Sequence, residues 1–223
     1  MKSEYLLLLL FMLFTIIELV LTLFILIPIK DEYIGIQKVL LAANGNVGKN
    51  DYLYKFIKRL FDIVVSFVVL IMMFPLLVSI VLVMLLTGRH NPLVKNYYIG
   101  YRRNIVKVYK FNVCDKNGNY TKIGYFLWKS GLDLLPVFYS VLAGDITMIG
   151  LRKISIYPSK DEQNSLNSYN YEKPGLLSVS KFIHIKDLSS NELEMLYLKS
   201  RDILFDLKLF HYMARKALFI SVK

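Results

Sequence analysis

Lys55–His90 reads KFIKRLFDIVVSFVVLIMMFPLLVSIVLVMLLTGRH, an apolar run from Leu60 to Leu86 with basic residues at both ends and Pro75 at its centre. A helix of this length covers the ~30 Å hydrocarbon core of a bilayer at 1.5 Å per residue. Proline in the middle removes a backbone hydrogen bond and clashes with the preceding turn, so a sharp bend is expected there. Two paths are open to it. The helix spans with a kink, or it turns back at Phe74-Pro75 and leaves on the side it entered. Lys55, Lys58 and Arg59 at one end and Arg89 at the other favour the return path, because cationic flanks prefer the cytoplasmic face. On that reading Pro75 is the break of a re-entrant membrane helix over residues 56–88.

Toward the N-terminus lies a second apolar run, Tyr5–Ile29, which would form a helix of roughly 37 Å and cross a bilayer with some tilt. Residues 1–30 are therefore expected to be an N-terminal transmembrane helix with its N-terminus outside. A cleaved signal peptide has a shorter apolar region and a small-residue cleavage site, and the following PIKDEY offers neither. Glu18 sits near the middle of this run, where an ionisable group costs about 2.5–3.5 kcal/mol unless protonated or paired. It is either a protonated carboxyl carried by a leucine-rich helix or a contact to a partner helix. Residues 31–55 are mixed and polar, with AANGNVGKN marking a loop, and are expected to be a linker.

The composition agrees with a membrane protein: 55% of the 223 residues are hydrophobic, and mean hydropathy is +0.44. Most of the +11 net charge lies beyond the apolar part, with 21 basic against 11 acidic residues from Arg89 to Lys223. Beside long apolar segments, such a basic surface fits anionic lipid headgroups or a phosphorylated substrate. No zinc spacing or RNA-binding signature points to nucleic acid. Cys114 is the single cysteine, which excludes an internal disulfide and reads as a small buried apolar residue, compatible with a reducing compartment. The histidines His90, His184 and His211 have no metal-ligand spacing.

Residues 89–223 form the main domain, with a strand-like IVKVYKF and a helical pattern from about Leu135 to Leu142. The amphipathic NELEMLYLKSRDILFDLKLFHYMARKALF either lies in the membrane interface or packs on the domain's own core. The fold class expected is a membrane protein, mainly α with short β segments. It has one N-terminal transmembrane helix, a Pro-broken re-entrant membrane helix, and a cytoplasmic-face domain with interfacial helices.

The order of segments carries more than any one of them. KRLFDIVVSFVVLIMMFPLL, VYKF, SGLDLLP, LAGDITMIGLRK, KPG and DLKL resemble, in sequence and spacing from about Tyr52 to Lys223, the bacterial sugar transferases, which are monotopic phosphoglycosyl transferases. The resemblance implies a re-entrant helix broken at Pro75 and a place on the cytoplasmic face of the bacterial inner membrane. It implies transfer of a sugar phosphate from a nucleotide sugar to polyprenyl phosphate, through a covalent phosphosugar on an aspartate with magnesium nearby. A carboxylate attacks a phosphoryl group only when metal and cationic side chains neutralise the repulsion between them.

By the same resemblance Asp133 stands at the nucleophile position, Lys110 at a basic phosphate-site position, and Arg152 where an arginine sits between two prolines. Gly144-Asp145 and Pro174-Gly175 also match. The departures fall on the chemistry. Leu134 stands where a metal-associated glutamate comes after the nucleophile, and Trp128, Asn112 and Tyr98 stand where arginines are expected. Leu151 and Lys153 replace the two prolines. Leucine has no oxygen for a metal and tryptophan cannot neutralise a phosphate. Losing one electrostatic contributor from a preorganised site typically costs about 2.7–4 kcal/mol.

The expectation is a non-catalytic family member, needing no cofactor as an isolated chain, bound to membrane lipids and acting beside an active sugar-transferase paralogue in glycan or exopolysaccharide assembly. If the chain is active, Asp133 attacks, Asp145 helps hold Mg, and nucleotide sugar and polyprenyl phosphate are substrates. A third reading is a membrane structural or lipid-binding protein. Each site residue also has a plain structural alternative. Ser130-Gly131-Leu132-Asp133 resembles a capping box with Pro136 in the first helical turn. Lys110 and Arg152 can be solvated cations, and Asp145 a turn acid closing a helix.

Overall fold

The computed structural model describes residues 29–43, 52–87, 91–115, 118–163 and 166–221. The expected N-terminal membrane helix and Glu18 lie outside the described residues. The chain is mainly helical. Helix α1 is Ile29–Leu41 and α2 is Tyr52–Leu86. Strands β1 (Leu93–Ile99) and β2 (Ile105–Phe111) come next, then helices α3 (Lys122–Ser130) and α4 (Val137–Ala143). Strand β3 (Thr147–Gly150), the short α5 (Lys160–Gln163) and strand β4 (Gly175–Ser178) lead to α6 (Val179–Phe182), α7 (Ser190–Ser200) and α8 (Ile203–Ser221).

Residues 31–55, read as a linker, thus begin inside a helix. Tyr33, Ile36 and Leu40 recur on one face of α1. Ile36 and Leu40 are buried in the main core, and the Tyr33 ring stacks on Tyr212 at 5.8 Å between centroids. The Tyr33 hydroxyl also donates to the His184 carbonyl.

Strands β1 and β2 pair antiparallel from Leu93↔Phe111 to Ile99↔Ile105. At the tip, Arg102 and Arg103 hold φ of 54° and 61°, a left-handed conformation that side chains other than glycine and asparagine seldom adopt. Strands β3 and β4 pair in parallel, Thr147↔Gly175 and Ile149↔Leu177, and every residue of β3 is buried. A buried parallel pair reads as a continuous apolar run rather than as alternation, which is why DITMIG gave no strand signal in the sequence.

The C-terminal amphipathic segment is not one helix. It breaks at Arg201-Asp202, and both halves turn their apolar faces to the core through Leu193, Tyr197 and Leu198 of α7 and Phe205, Leu209 and Met213 of α8. Of the two readings for this segment, packing on the domain's own core is the one observed. A complete capping box opens α7: Ser189 Oγ accepts from the Glu192 amide, and Glu192 accepts in return from the Ser189 amide at 2.7 Å.

Helix α2 is the one described helix long and apolar enough to cross a membrane. Its helical pattern continues through Pro75, and Ser79 Oγ donates to the Pro75 carbonyl at 2.8 Å. Tyr54, Asp62 and Ser66 are buried near its start, and Ile80 and Met84 near its end. Phe67, Val68, Ile71 and Phe74 between them are exposed. Ile80 and Met84 pack with Phe111 and Leu127 in a cluster of their own.

Asp62 is a polar tie between α2 and the domain. Its carboxylate accepts from Thr147 Oγ1 at 2.7 Å and from the Met148 amide at 2.9 Å. Replacing Asp62 with leucine should therefore cost about 2–3 kcal/mol, because a buried hydroxyl and a buried amide lose their acceptor. Asp62→Asn, which keeps one acceptor oxygen, should cost less. Thermal unfolding of both variants in the same detergent checks the order.

Candidate functional site

The stretch around Asp133 is built by a glycine corner. Helix α3 ends at Gly131, whose φ of 72° no β-carbon favours, and the next helical segment, Leu132–Ala143, leaves at 85° to it. Ser130 does not cap that segment. Its hydroxyl donates back to the Phe126 and Leu127 carbonyls, so the capping box expected over Ser130–Asp133 is not formed. The reason is that Ser130 belongs to the last turn of α3, where the free carbonyls of its own helix are the nearer partners. Asp133 sits in the single 3-10 turn Leu132–Leu134 with 9% of its surface exposed. Burial pushes its carboxyl up, against the pull of Lys110, its own backbone amide and Lys181.

Three lysines from separate elements are linked electrostatically to Asp133 or to one another. Lys110 comes from the end of β2, Lys153 from the segment after β3, and Lys181 from α6. Lys110 and Lys181 act electrostatically on both Asp133 and Lys153. Lys153 is held down to about 8 by burial first, then by the like charges of Lys110 and Lys181. Lys110 and Lys153 are half-buried, and among the described residues neither makes a hydrogen bond or ion pair. Lys181 lies over the Phe182 ring at 5.8 Å.

The other residues singled out from the sequence are engaged elsewhere. Arg152 turns toward α7, with Nη2 donating to Asn191 Oδ1 at 2.9 Å and Nε lying 3.9 Å from Glu194 Oε1. Glu194, fully buried, also accepts from the Arg152 amide at 3.0 Å and from Ser180 Oγ at 2.8 Å. Asp145 comes after Gly144 at the C-terminal end of α4, the opposite end from Asp133. Its amide donates to the Ser140 carbonyl at 3.0 Å, and Arg59 and Lys173 cap this turn through the Val141, Leu142 and Gly144 carbonyls. Trp128 points outward, 51% exposed, in a cluster with Tyr120 and Tyr125 at 5.4 and 6.1 Å. Asn112 Nδ2 donates to the Asn91 carbonyl at 3.3 Å, and Tyr98 bridges to Ser155.

The structure thus brings Lys110 to Asp133 and leaves Arg152 and Asp145 on other business. It adds Lys181, which acts on Asp133 from α6, and Lys153, which feels Lys110 and Lys181. Among the described residues no three histidine, cysteine, aspartate or glutamate side chains come together as a metal site would require.

A second polar centre joins the start of α2 to the C-terminal helices. Lys58 Nζ lies 3.3 Å from Glu172 and 3.5 Å from Asp206, and donates to Tyr197 Oη at 3.0 Å. Arg201 reaches Glu172 at 3.1 Å, and Tyr54 Oη donates to Asp206 at 2.7 Å. The sequence did carry a signal for it: Asp206 falls three residues before Leu209 and seven before Met213, on the apolar face of its helix. Next to this centre is a cavity of about 140 Å³ lined mainly by apolar groups such as Phe61, Ile149, Ile203 and Leu207; it includes neither Asp133 nor the three lysines.

Residues 53–219 match the family described as bacterial sugar transferase. The chain is 26% identical over 176 residues to the UDP-glucose:undecaprenyl-phosphate glucose-1-phosphate transferase of Klebsiella pneumoniae, covering 68% of this chain and 38% of that protein. It is 25% identical over 162 residues to the protein of the same name from Escherichia coli, covering 66% and 34%. To the galactosyl transferase CpsE of Streptococcus agalactiae it is 35% identical over 97 residues, covering 40% and 21%. The chain therefore spans well under half the length of these curated relatives.

Proposed function

Since the chain belongs to the bacterial sugar transferase family, we propose that it is a member whose transfer chemistry has lapsed, and that it serves as a partner subunit in membrane glycan assembly beside an active paralogue. One observation carries this reading. Asp133, at the position of the nucleophile, has Leu134 for a neighbour where a second acid is expected, and it shares its surroundings with Lys110 and Lys181 rather than with further carboxylates. Magnesium keeps near-octahedral oxygen coordination at about 2.0–2.1 Å and is commonly held by one or two carboxylates plus substrate phosphates. Asp133 and Asp145 are separated by the length of α4, roughly 10 Å or more, and the nearby ammonium groups repel a divalent cation. The residues present do not fit the ion, so no step of the chemistry is assigned to it.

The domain sits on the cytoplasmic face of the membrane, held by α2 as a re-entrant helix. In support, Tyr54 near one end of α2 and Met84 near the other, about 45 Å apart along a straight helix, both pack against the same domain. A straight crossing would put them on opposite sides of the bilayer, and the exposed apolar residues between them match a segment dipping into lipid. The similarity to two transferases named for glucose 1-phosphate and undecaprenyl phosphate, and to a galactosyl transferase, supports a place in the assembly of a polyprenyl-linked glycan.

The test is transfer of labelled sugar phosphate from a nucleotide sugar to polyprenyl phosphate by the purified chain. The expected result is that wild type and Asp133→Ala agree within about twofold. Label transferred by wild type alone would make the chain an active transferase working through Asp133. Purification from membranes under mild conditions should bring down a second sugar transferase, and a lone monomer would count against the partner role.

A further inference from the structure

We propose that the cavity between the start of α2, β3 and α8 is a seat for a short stretch of a phospholipid acyl chain, which leaves the bilayer along α2 and tucks in beside α8. The inference rests on the placement of α2 in lipid argued above and goes beyond it, since neither that placement nor the Asp133 turn gives the cavity a tenant.

The cavity has a volume of about 140 Å³ and takes its apolar wall from Ile57 and Phe61 of α2, Ile149 of β3, and Ile203 and Leu207 of α8. Its polar neighbours are engaged with one another or with the domain. Both Asp62 oxygens accept, from Thr147 and from the Met148 amide, Tyr54 Oη donates to Asp206, and Lys58 Nζ is held by Glu172, Tyr197 and Asp206. Among the described residues, Asp206 Oδ1 is the one buried polar side-chain atom of this wall without a partner. A buried water needs two to four polar partners, so water is poorly held here. A dry apolar cavity of about 150 Å³ takes benzene, which sets the fit at roughly six carbon atoms. The carboxylates of Asp62 and Asp206 also repel an anion, and Lys58 is already matched by two acids. The tenant is therefore the tail of a lipid and not its phosphate.

The surface that leads to the cavity says which hydrocarbon reaches it. Leu53, Phe56, Leu60, Val64, Phe67 and Ile71 of α2 are all exposed, and their spacing of three and four residues puts them in one stripe along the helix. This stripe runs from the membrane segment to the flank of the cavity, where Ile57 and Phe61 follow Phe56 and Leu60 in sequence. On the far side Leu204 is exposed, and Leu207, itself part of the wall, is 43% exposed and marks the open side. Contiguous apolar surface of this kind is seldom left to water. Phospholipid acyl chains are the most abundant hydrocarbon around a helix in a bilayer, and occupancy rises with concentration.

The test uses the full chain in nanodiscs containing a phosphatidylcholine with a photoactivatable diazirine in one acyl chain, with adducts mapped by mass spectrometry after irradiation. Ile149 is the deciding residue, because it is only 2% exposed and belongs to a buried strand rather than to a helix facing lipid. Adducts are expected on Ile149 as well as on Phe67 and Ile71 of the bilayer stripe. Ile203→Trp, which fills the cavity from α8, should cut labelling of Ile149 about tenfold or more while leaving Phe67 and Ile71 within about twofold. Leu207→Trp, at the open side, should do the same and serves if the first variant fails to fold. Unlabelled palmitate should compete for Ile149 ahead of farnesol.

Ile149 unlabelled while Phe67 and Ile71 are labelled, labelling of Ile149 indifferent to both tryptophan variants, or farnesol competing ahead of palmitate overturns the proposal. Loss of label from Phe67 and Ile71 together with Ile149 overturns the placement of α2 in lipid along with it. Sugar-phosphate transfer above the Asp133→Ala control would overturn the non-catalytic reading alone and leave the Ile149 result standing, so the failures are distinguishable.

Discussion

Lys58→Met should cost about 3–5 kcal/mol of stability, because it strips the cation from a buried group of charges rather than removing the group as a whole. The Lys58, Glu172 and Asp206 side chains are only 10%, 12% and 11% exposed. Without Lys58, Glu172 keeps Arg201 at 3.1 Å, but Asp206 is left with the phenol donors of Tyr54 and Tyr197. In thermal unfolding in detergent the loss should read as a fall of roughly 10 °C for a domain of this size. The triple change Lys58→Met, Glu172→Gln, Asp206→Leu should recover much of it, since removing all the charges also removes their desolvation cost.

The pH dependence has a definite sign. Burial alone would raise Glu172, but Lys58, the Lys173 amide and Arg201 outweigh it and hold the carboxyl below its ordinary range. Glu172 thus contributes stability that is present above its unfolded value of 4.5 and is lost as pH falls through its lowered folded value. Asp206 works the other way: burial raises it despite the pull of Lys58, so folding favours its protonated form. In Lys58→Met both acids lose their nearest cation on α2 and protonate more readily. The gap between variant and wild type should therefore narrow below about pH 5.

Gly124→Ala should be comparably damaging, about 3 kcal/mol or more, at the upper end of what overpacking costs. A β-carbon at Gly124 would lie 1.8 Å from the Val113 carbonyl oxygen and 2.6 Å from its carbon. Those atoms are backbone and cannot swing away as a side-chain tip would. The helix must move instead, and α3 carries Leu127 and Ile123, which pack with Ile80 and Met84 of α2. Gly35 in α1 supplies the control, for nothing lies within 4 Å of its would-be β-carbon. Gly35→Ala should be neutral or stabilise by up to about 1 kcal/mol through helix propensity. Opposite signs from one chemical change, read by unfolding midpoints, would show that close backbone approach and not glycine's entropy sets the cost.

The parts of this protein legible in its sequence are those written in local pattern. IVKVYKF forms β2 within the bounds its β-branched residues suggest, the Leu135–Leu142 pattern forms α4, and the long apolar run forms α2. What escaped notice depends on segments far apart. Nothing near Lys181 marks it as acting on Asp133, because α6 follows β4, whose pairing with β3 joins segments far apart in sequence. Helix α1 hid inside a polar stretch, since among its described side chains Tyr33, Ile36 and Leu40 carry the buried face. Asp133 stands out in the sequence as an acid among leucines, but the capping bond expected of Ser130 is taken by the helix before it.

The tie between Lys58 and Asp206 also sets an order of events at the ribosome. Tyr54 and its acceptor Asp206 are 152 residues apart, so at about 5–20 residues per second the first waits on the order of 10 s for the second to be synthesised. Glu172, 114 residues after Lys58, is made sooner than Asp206, but until it follows, Lys58 has neither acid and must be solvated by other groups. Closure of this charged centre therefore waits on α8, which acts as a late latch on the start of α2.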